Sequence, residues 1–227
     1  MKVFEENKIY LTKEQEEKFV FFGNLLEKYN AEFNITAIES GEKTEIKHFL
    51  DSVMGVDNFP PNASVIEVGS GGGFPSVPLM IMRKDLRFTL VESTGKKCVF
   101  LEKVKSELNL NCTVLNARAE DLGRKKEYRE VFDISTARAV ARLNTLSEYC
   151  LPLIKVGGSF IAYKGSADEE IKEARNAIAV LGGKIKEIKN YELPFGEGKR
   201  TIIEIEKVSK TPMLYPRGNG KEKKKPL

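Results

Sequence analysis

The sequence predicts an α/β fold: a seven-stranded, mostly parallel sheet with one antiparallel strand, preceded by an N-terminal helical extension. Three observations lead there. From Val65 onward, short β-rich runs alternate with helical stretches, the spacing of a parallel sheet covered by helices on both faces. The first of these runs leads directly into a glycine-rich loop, Gly69-Ser-Gly71-Gly-Gly73. The last two runs are joined by Leu193-Pro-Phe-Gly-Glu-Gly198, which leaves no room for a crossover helix, so that pair is antiparallel.

Each element has its own reason. Residues 12–29 read as an amphipathic helix: Thr12 and Gln15 fit a capping box, and Phe19, Phe22, Leu26 and Tyr29 recur at helical spacing. A second helical stretch, 43–54, carries Ile46, Phe49, Leu50 and Val53. Strands are expected at Val65–Val68, Phe88–Glu92, Thr113–Leu115, Val131–Ser135, Ser159–Lys164, Lys184–Tyr191 and Thr201–Glu206. Helices are expected near 76–83, 96–108, 142–153 and 168–181. The sequence holds no internal repeat, and only KEKKKPL at the end is of low complexity.

Composition excludes several classes. With 227 residues, 41% of them apolar and 31% charged, the chain is long enough for one globular domain with a modest extension. No apolar run approaches the ~20 residues of a membrane span, and MKVFEENKIY has no signal-peptide core, so no membrane association and a cytoplasmic location are expected. Three scattered cysteines, Cys98, Cys112 and Cys150, exclude a disulfide framework. With His48 as the single histidine, they also leave no clustered ligands, so no metal is expected.

Charge divides the chain further. Residues 1–62, the helical extension, carry 7 Lys/Arg and 12 Asp/Glu, whereas 207–227, a basic tail, carry 7 Lys/Arg against Glu222 alone. Between them, 63–206 form the α/β domain. Such a tail can attract a polyanion by neutralising phosphates, but charge alone reads more readily as a solvated end without a partner.

The glycine loop carries the first chemical signal. In an open α/β sheet the loop after strand one faces the ligand crevice, and glycines there let a ligand approach the backbone. A dinucleotide fingerprint starting at Gly69 needs glycine at 74, where Phe74 stands. The spacing is instead E-x-G-x-G-x-G, from Glu67 to Gly73. Glu92 ends the second strand 19 residues beyond Gly73, where an acid can accept hydrogen bonds from both ribose hydroxyls of an adenosine cofactor. After strand three, Asn116-Ala-Arg-Ala119-Glu120-Asp121 offers an acid or amide to an adenine amine, or opens a helix whose macrodipole favours the acids.

These marks resemble those of S-adenosylmethionine methyltransferases, and the sheet with its terminal antiparallel pair is similar to their Rossmann-like class I fold. The resemblance then narrows. Tyr29-Asn30-x-x-x-Asn34-Ile-Thr36-Ala37, His48-Phe-Leu-Asp51-Ser52, VGSGGGFPSVPL, VESTGKKCVFLEKV, ARAED, DISTARAVARL and TPMLYPRGNGKEKKKPL together resemble the ribosomal RNA small subunit methyltransferase G family, also called glucose-inhibited division protein B. The match covers nearly the whole chain, departing at Glu222, where the family often has proline. It implies transfer of a methyl group from S-adenosylmethionine to N7 of one guanine in 16S rRNA, met as naked rRNA, an assembly intermediate or the 30S subunit, by a monomer. It implies cofactor contacts from Gly69, Gly71, Gly73, Phe74, Glu92, Ser93, Thr94, Ala119, Glu120 and Arg138, and RNA contacts from Arg142, Lys164, Arg217 and Lys223. No catalytic residue is assigned.

Plainer readings stand beside these. Phe74 serves the core as well as a cofactor, and Arg138 can pair with Asp133 or Glu148 instead of a cofactor carboxylate. Lys164 can be an ordinary strand-end lysine, His48 a satisfied structural histidine, and Asn34 a substrate-side residue or not. The segment after strand four, Asp133–Arg138, holds neither the cysteine of a cytosine-C5 enzyme nor the Asn/Asp-Pro-Pro-aromatic of an adenine-N6 enzyme. Guanine N7 bears a lone pair and no proton, so its methylation asks for position rather than a base. The alternatives are a small-molecule methyltransferase and a non-catalytic regulator that binds cofactor and RNA. Because the expected cofactor loops contain no tail residue, deleting Pro216–Leu227 is expected to spare cofactor binding.

Overall fold

The computed structural model describes residues 1–33, 35 and 41–227. Helices α1 (Lys2–Glu6) and α2 (Lys13–Phe33) open the chain. The capping box forms as its residue types require: Gln15 N–H donates to Thr12 Oγ1 at 3.2 Å, and Thr12 N–H to Gln15 Oε1 at 2.9 Å. Next come α3 (Glu42–Thr44), a π-helical turn (Glu45–Leu50) and α4 (Asp51–Val53). The predicted second helix is therefore present, but its middle takes the wider i→i+5 form. Its apolar positions Ile46, Phe49, Leu50 and Val53 are all buried.

The alternating part comprises β1 (Ser64–Val68), α5 (Ser76–Met82), β2 (Arg87–Glu92), α6 (Gly95–Leu108), β3 (Cys112–Asn116), α7 (Ala119–Leu122), β4 (Phe132–Arg138), α8 (Leu143–Cys150), β5 (Ile154–Lys164), α9 (Asp168–Val180), β6 (Gly183–Glu192) and β7 (Lys199–Lys207). A short α10 (Lys221–Lys224) ends the chain. Among the described residues the strands form one seven-stranded sheet, ordered β3-β2-β1-β4-β5-β7-β6. Only β7 runs against its neighbours, antiparallel to both β5 and β6. Because β1 to β5 are parallel, the loops that follow them gather at one edge.

One strand begins earlier than its composition indicates. β5 starts at Ile154 rather than Ser159, with Ile154 opposite Phe132 and Ser159 opposite Ile134. Lys155-Val-Gly-Gly158 reads as a turn, and the structure uses it as an irregularity inside the strand, with Gly157 at φ +87°.

Alternation along the strands builds two cores. Ile161 and Tyr163 of β5 face one way with Val65, Phe88 and Ile202, under α1, α2, the π turn, α5 and α6. Phe160 and Ala162 face the other way with Ile66 and Ile203, under α8 and α9. Residues after β7 fold back over this second side. Thr211 is 4% exposed and Glu222 wholly buried, although the tail's charge also allowed a solvated end.

Candidate functional site

Glu92 closes β2, and its carboxylate accepts two backbone hydrogen bonds. Gly71 N–H donates to Oε2 at 3.0 Å and Thr94 N–H to Oε1 at 2.7 Å. One acid thus ties the glycine loop to the start of α6, and each oxygen keeps lone-pair capacity for a ligand. Asn116, opposite Glu92 in register on β3, donates Nδ2 to the Glu92 carbonyl at 3.0 Å. Its Nδ2 is engaged with β2, and the acidic side chain that the third loop brings to the cleft is Glu120.

The glycines have distinct reasons. A Cβ on Gly69 (φ +72°) would lie 2.6 Å from Val140 Cγ2, so packing itself demands glycine there. Gly73 is crowded in the same way by Val77. Gly71 (φ +51°) is different: a Cβ would meet only the Gly69 carbonyl, at 3.7 Å. Its side faces open space, which a ligand can fill.

Beneath the loop lies Glu67, wholly buried at the end of β1. Among the described residues neither of its carboxylate oxygens has a hydrogen-bond partner, and the Ser76 hydroxyl also lacks one. Burial pushes the Glu67 carboxyl up to about 7, while the Ser76 and Ser70 hydroxyls and the Arg138 guanidinium pull the other way without closing a hydrogen bond to it. A buried acid without a partner beside a glycine loop suits a ligand that brings a cation.

Arg138, at the end of β4, reaches the N-terminal extension. Its Nη1 donates to Asp51 Oδ2 at 3.0 Å and to the Lys47 carbonyl at 3.1 Å, and its Nη2 donates to His48 Nδ1 at 2.7 Å. Arginine only donates, so Nδ1 of His48 accepts and the imidazole proton sits on Nε2. The His48 ring stacks on Phe74, with centroids 4.1 Å apart and planes 7° apart, and Arg138 lies 4.9 Å from the Phe74 centroid. Phe74 is 5% exposed and also touches Phe22 and Phe49. Burial, and then Arg138, lower the His48 pKa to about 3, so the ring is neutral at ordinary pH. Asp51 is further held by the Tyr191 hydroxyl at 2.8 Å and by Arg200. Arg138 thus pairs with neither Asp133 nor Glu148. Asp133 starts β4 at the opposite sheet edge, beside Lys155, and Glu148 is engaged by Arg217.

A cleft of about 140 Å³ opens at the strand ends. Gly69, Ser93, Ala119 and Glu120 line it, joined by Tyr149 of α8 and by two tail residues, Gly220 and Lys223. The tail is therefore part of this wall, contrary to the expectation that it stands apart from the cofactor loops. A larger cavity of about 400 Å³ lies beside α2, lined by Phe19, Gly23 and Phe49, away from the strand ends.

The four residues singled out for RNA are placed differently from one another. Lys164 is 9% exposed, bound to Glu170 at 2.7 Å and to the Ala141 carbonyl at 2.9 Å. Arg217 grips buried Glu148 through Nε and Nη2. Arg142 pairs with Glu173 at the surface, both more than two-fifths exposed. Lys223 is exposed at the cleft mouth. Asn34 lies outside the described residues. Sequence reasoning missed the partners Asp51, Tyr191 and Arg200, and the tail's place in the cleft; HFLDS and YPRGNG carried the only signal, as motifs without a stated role.

The donor set fits an adenosine cofactor with a cationic amino-acid end. It offers acceptors at Glu92 and Glu120, an open glycine face at Gly71, and the unpartnered Glu67. No group of three or more His, Cys, Asp or Glu among the described residues is placed to hold a metal ion.

Comparison with known proteins agrees with this geometry. A family model described as rRNA small subunit methyltransferase G matches residues 15–202. A protein named ribosomal RNA small subunit methyltransferase G from Acetivibrio thermocellus is 43% identical over 221 residues, covering 96% of this chain and 91% of that one. A protein of the same name from a Geobacillus species is 45% identical over 229 residues, covering 99% and 96%. Among solved structures, M. jannaschii TYW2 in complex with AdoMet superposes with a TM-score of 0.58 at 14% identity, covering 76% of this chain and 80% of that one. At that identity the likeness speaks for the fold alone, the Rossmann-like class I methyltransferase fold.

Proposed function

The chain belongs to the rRNA small subunit methyltransferase G family, and from that premise we propose that it transfers a methyl group from S-adenosylmethionine to N7 of a guanine in 16S rRNA. The observation that carries the cofactor assignment is Glu92 bridging Gly71 and Thr94 with ribose-facing capacity to spare.

When bound, the cofactor supplies an electrophilic sulfonium methyl. Gly71 would let the backbone close on it, in a loop whose shape Gly69 and Gly73 allow by packing against Val140 and Val77; Glu92 with Ser93 and Thr94 would hold the ribose, and Ala119 with Glu120 would meet the adenine. Glu67, buried beneath the loop, would offer its unpartnered carboxyl group to the amino-acid end. Arg138 has three of its five N–H donors engaged among the described residues, which leaves two for a ligand. Phe74 acts through Arg138 and His48, whose positions its ring sets. Residues 63–206 thus carry the cofactor, braced by 1–62 and by 207–227.

Attack by N7 needs no proton removed, so the protein's task is to hold the purine in line behind the methyl. The side chains support this. Burial raises the thiol pKa of all three cysteines, Cys112 to about 11, which makes none of them an activated nucleophile for carbon methylation. His48 is neutral and its Nδ1 is occupied, so it offers no free base. For RNA, exposed Arg142 and Lys223 meet phosphate directly, whereas Lys164 and Arg217 do so only by exchanging Glu170 or Glu148 for it.

Mass-spectrometric mapping of 16S rRNA from cells with and without the gene tests the reading. One N7-methylguanine should vanish in the deletion strain and return when purified protein and S-adenosylmethionine are added. Persistence of every N7-methylguanine would overturn it.

A further inference from the structure

We infer that the C-terminal strap, Gly218–Lys223, is a closing wall of the cofactor cleft, so that binding of the adenosine ligand and docking of the strap stabilise each other. The inference rests on the cofactor reading above and adds to it a segment that lies outside the glycine, ribose and adenine loops.

The strap is positioned by groups that do nothing else in the site. Arg124 reaches from the segment after α7 to the carbonyls of Pro216, at 2.9 Å, and Arg217. Arg129 holds the Tyr215 carbonyl at 2.8 Å and that of Thr211 at 2.7 Å. Glu148 of α8, 1% exposed, accepts from the Arg217 backbone N–H at 2.8 Å as well as from its guanidinium. The chain then reverses through three successive left-handed residues, Gly218, Asn219 and Gly220, with φ of +72°, +58° and +72°. The left-handed φ of Gly218 favours glycine, and a Cβ there would also come within 2.8 Å of Arg124 Nη1.

That reversal brings the strap back to α8. Glu222 is wholly buried; its Oε1 accepts from Gly218 N–H, and its backbone carbonyl accepts from Thr145 Oγ1 at 3.0 Å. Its other carboxylate oxygen has no hydrogen-bond partner among the described residues. A buried, half-satisfied acid in an otherwise basic segment fixes the strap's place but makes its docking modest in stability. Such an anchor leaves room for a ligand to add to it. With Glu222 seated, Gly220 and Lys223 border the cleft opposite Gly69, Ser93 and Glu120. A ligand that fills the cleft touches both walls, and reciprocity then requires that it hold the strap down by as much as the strap holds the ligand.

The test uses S-adenosylhomocysteine as the probe. In the full-length protein, hydrogen exchange of the peptide spanning Gly218–Lys225 should slow at least fivefold on saturation with it, and isothermal titration of protein ending at Gly220 should give an affinity at least tenfold weaker. Circular dichroism of the truncated protein checks that it remains folded, and the exchange measurement stands independently if it does not. Unchanged exchange in the strap of a protein that binds the probe would overturn the inference and leave the cofactor reading intact. Folded full-length protein that fails to bind the probe would overturn the cofactor reading, and this inference with it.

Discussion

Arg138 donates to His48 Nδ1 at 2.7 Å, across 90 residues of sequence, and burial, reinforced by this guanidinium, keeps His48 in its neutral form. The pair joins the end of β4 to the helical extension, and its environment gives the protein an unusual response to pH. His48 is lowered from 6.5 to about 3, whereas Glu67, which also feels Arg138, is raised from 4.5 to about 7.

The signs oppose. Below pH 6.5 the unfolded chain protonates His48 while the folded protein does not, so stability falls as pH drops toward 3. Above pH 4.5 the unfolded chain releases the Glu67 proton while the folded protein keeps it, so stability falls as pH rises toward 7. Between 4.5 and 6.5 the two cancel. In Glu67→Gln, unfolding free energy should therefore rise with pH across that window by about 1.4 kcal/mol per unit relative to wild type; in His48→Gln it should fall by a similar slope. Urea titrations at four pH values measure this, and three parallel profiles would show that neither group is perturbed in the folded protein.

Gly69 and Gly71 should respond differently to alanine. Gly69→Ala drives a Cβ to 2.6 Å from Val140 and should lower the melting temperature markedly. Gly71→Ala meets no such neighbour, so it should cost about 1–2 kcal/mol for its left-handed backbone and still fold. It should nevertheless lose most of its affinity for S-adenosylhomocysteine by calorimetry. Full affinity in folded Gly71→Ala would place the ligand elsewhere.

Glu92→Ala should weaken the same ligand by about 1.5–3 kcal/mol, the range for hydrogen bonds to a charged group. The two backbone donors at Gly71 and Thr94 sharpen the comparison with Glu92→Gln. Glutamine offers one oxygen, so one of those donors must face an amide N–H₂, and the loop loses part of its tie even where a ribose acceptor survives. Glutamine should fall between wild type and alanine. Equal and negligible effects from both would remove Glu92 from the site.

Arg217→Ala should destabilise the protein by about 3–5 kcal/mol, because it strands the buried Glu148 carboxylate. Arg217→Ala combined with Glu148→Gln should recover much of that loss. If instead Arg217 serves mainly as a phosphate contact, the single variant would keep its melting temperature and lower the magnitude of the salt slope of RNA binding by about 0.7–0.9.

Short-range rules were enough to read much of this fold. Strand and helix periods placed the alternating elements, Thr12 and Gln15 announced their own reciprocal cap, and the missing crossover before β7 announced its reversal. Glu92 was legible because its distance from the glycines is set within one strand–helix–strand unit. Long-range packing set everything else. His48 and Asp51 of the helical extension meet Arg138 of β4, with Tyr191 of β6 holding Asp51 from behind, and no local pattern encodes which buried carboxylate an arginine will find. The tail was the clearest case. Its charge composition read as one basic patch, but folding seats Glu222 inside, engages Arg217 with Glu148, and turns Gly220 and Lys223 toward the cleft. Net charge is a sum over a segment, whereas burial is settled side chain by side chain, by which partners the rest of the fold brings within hydrogen-bond reach.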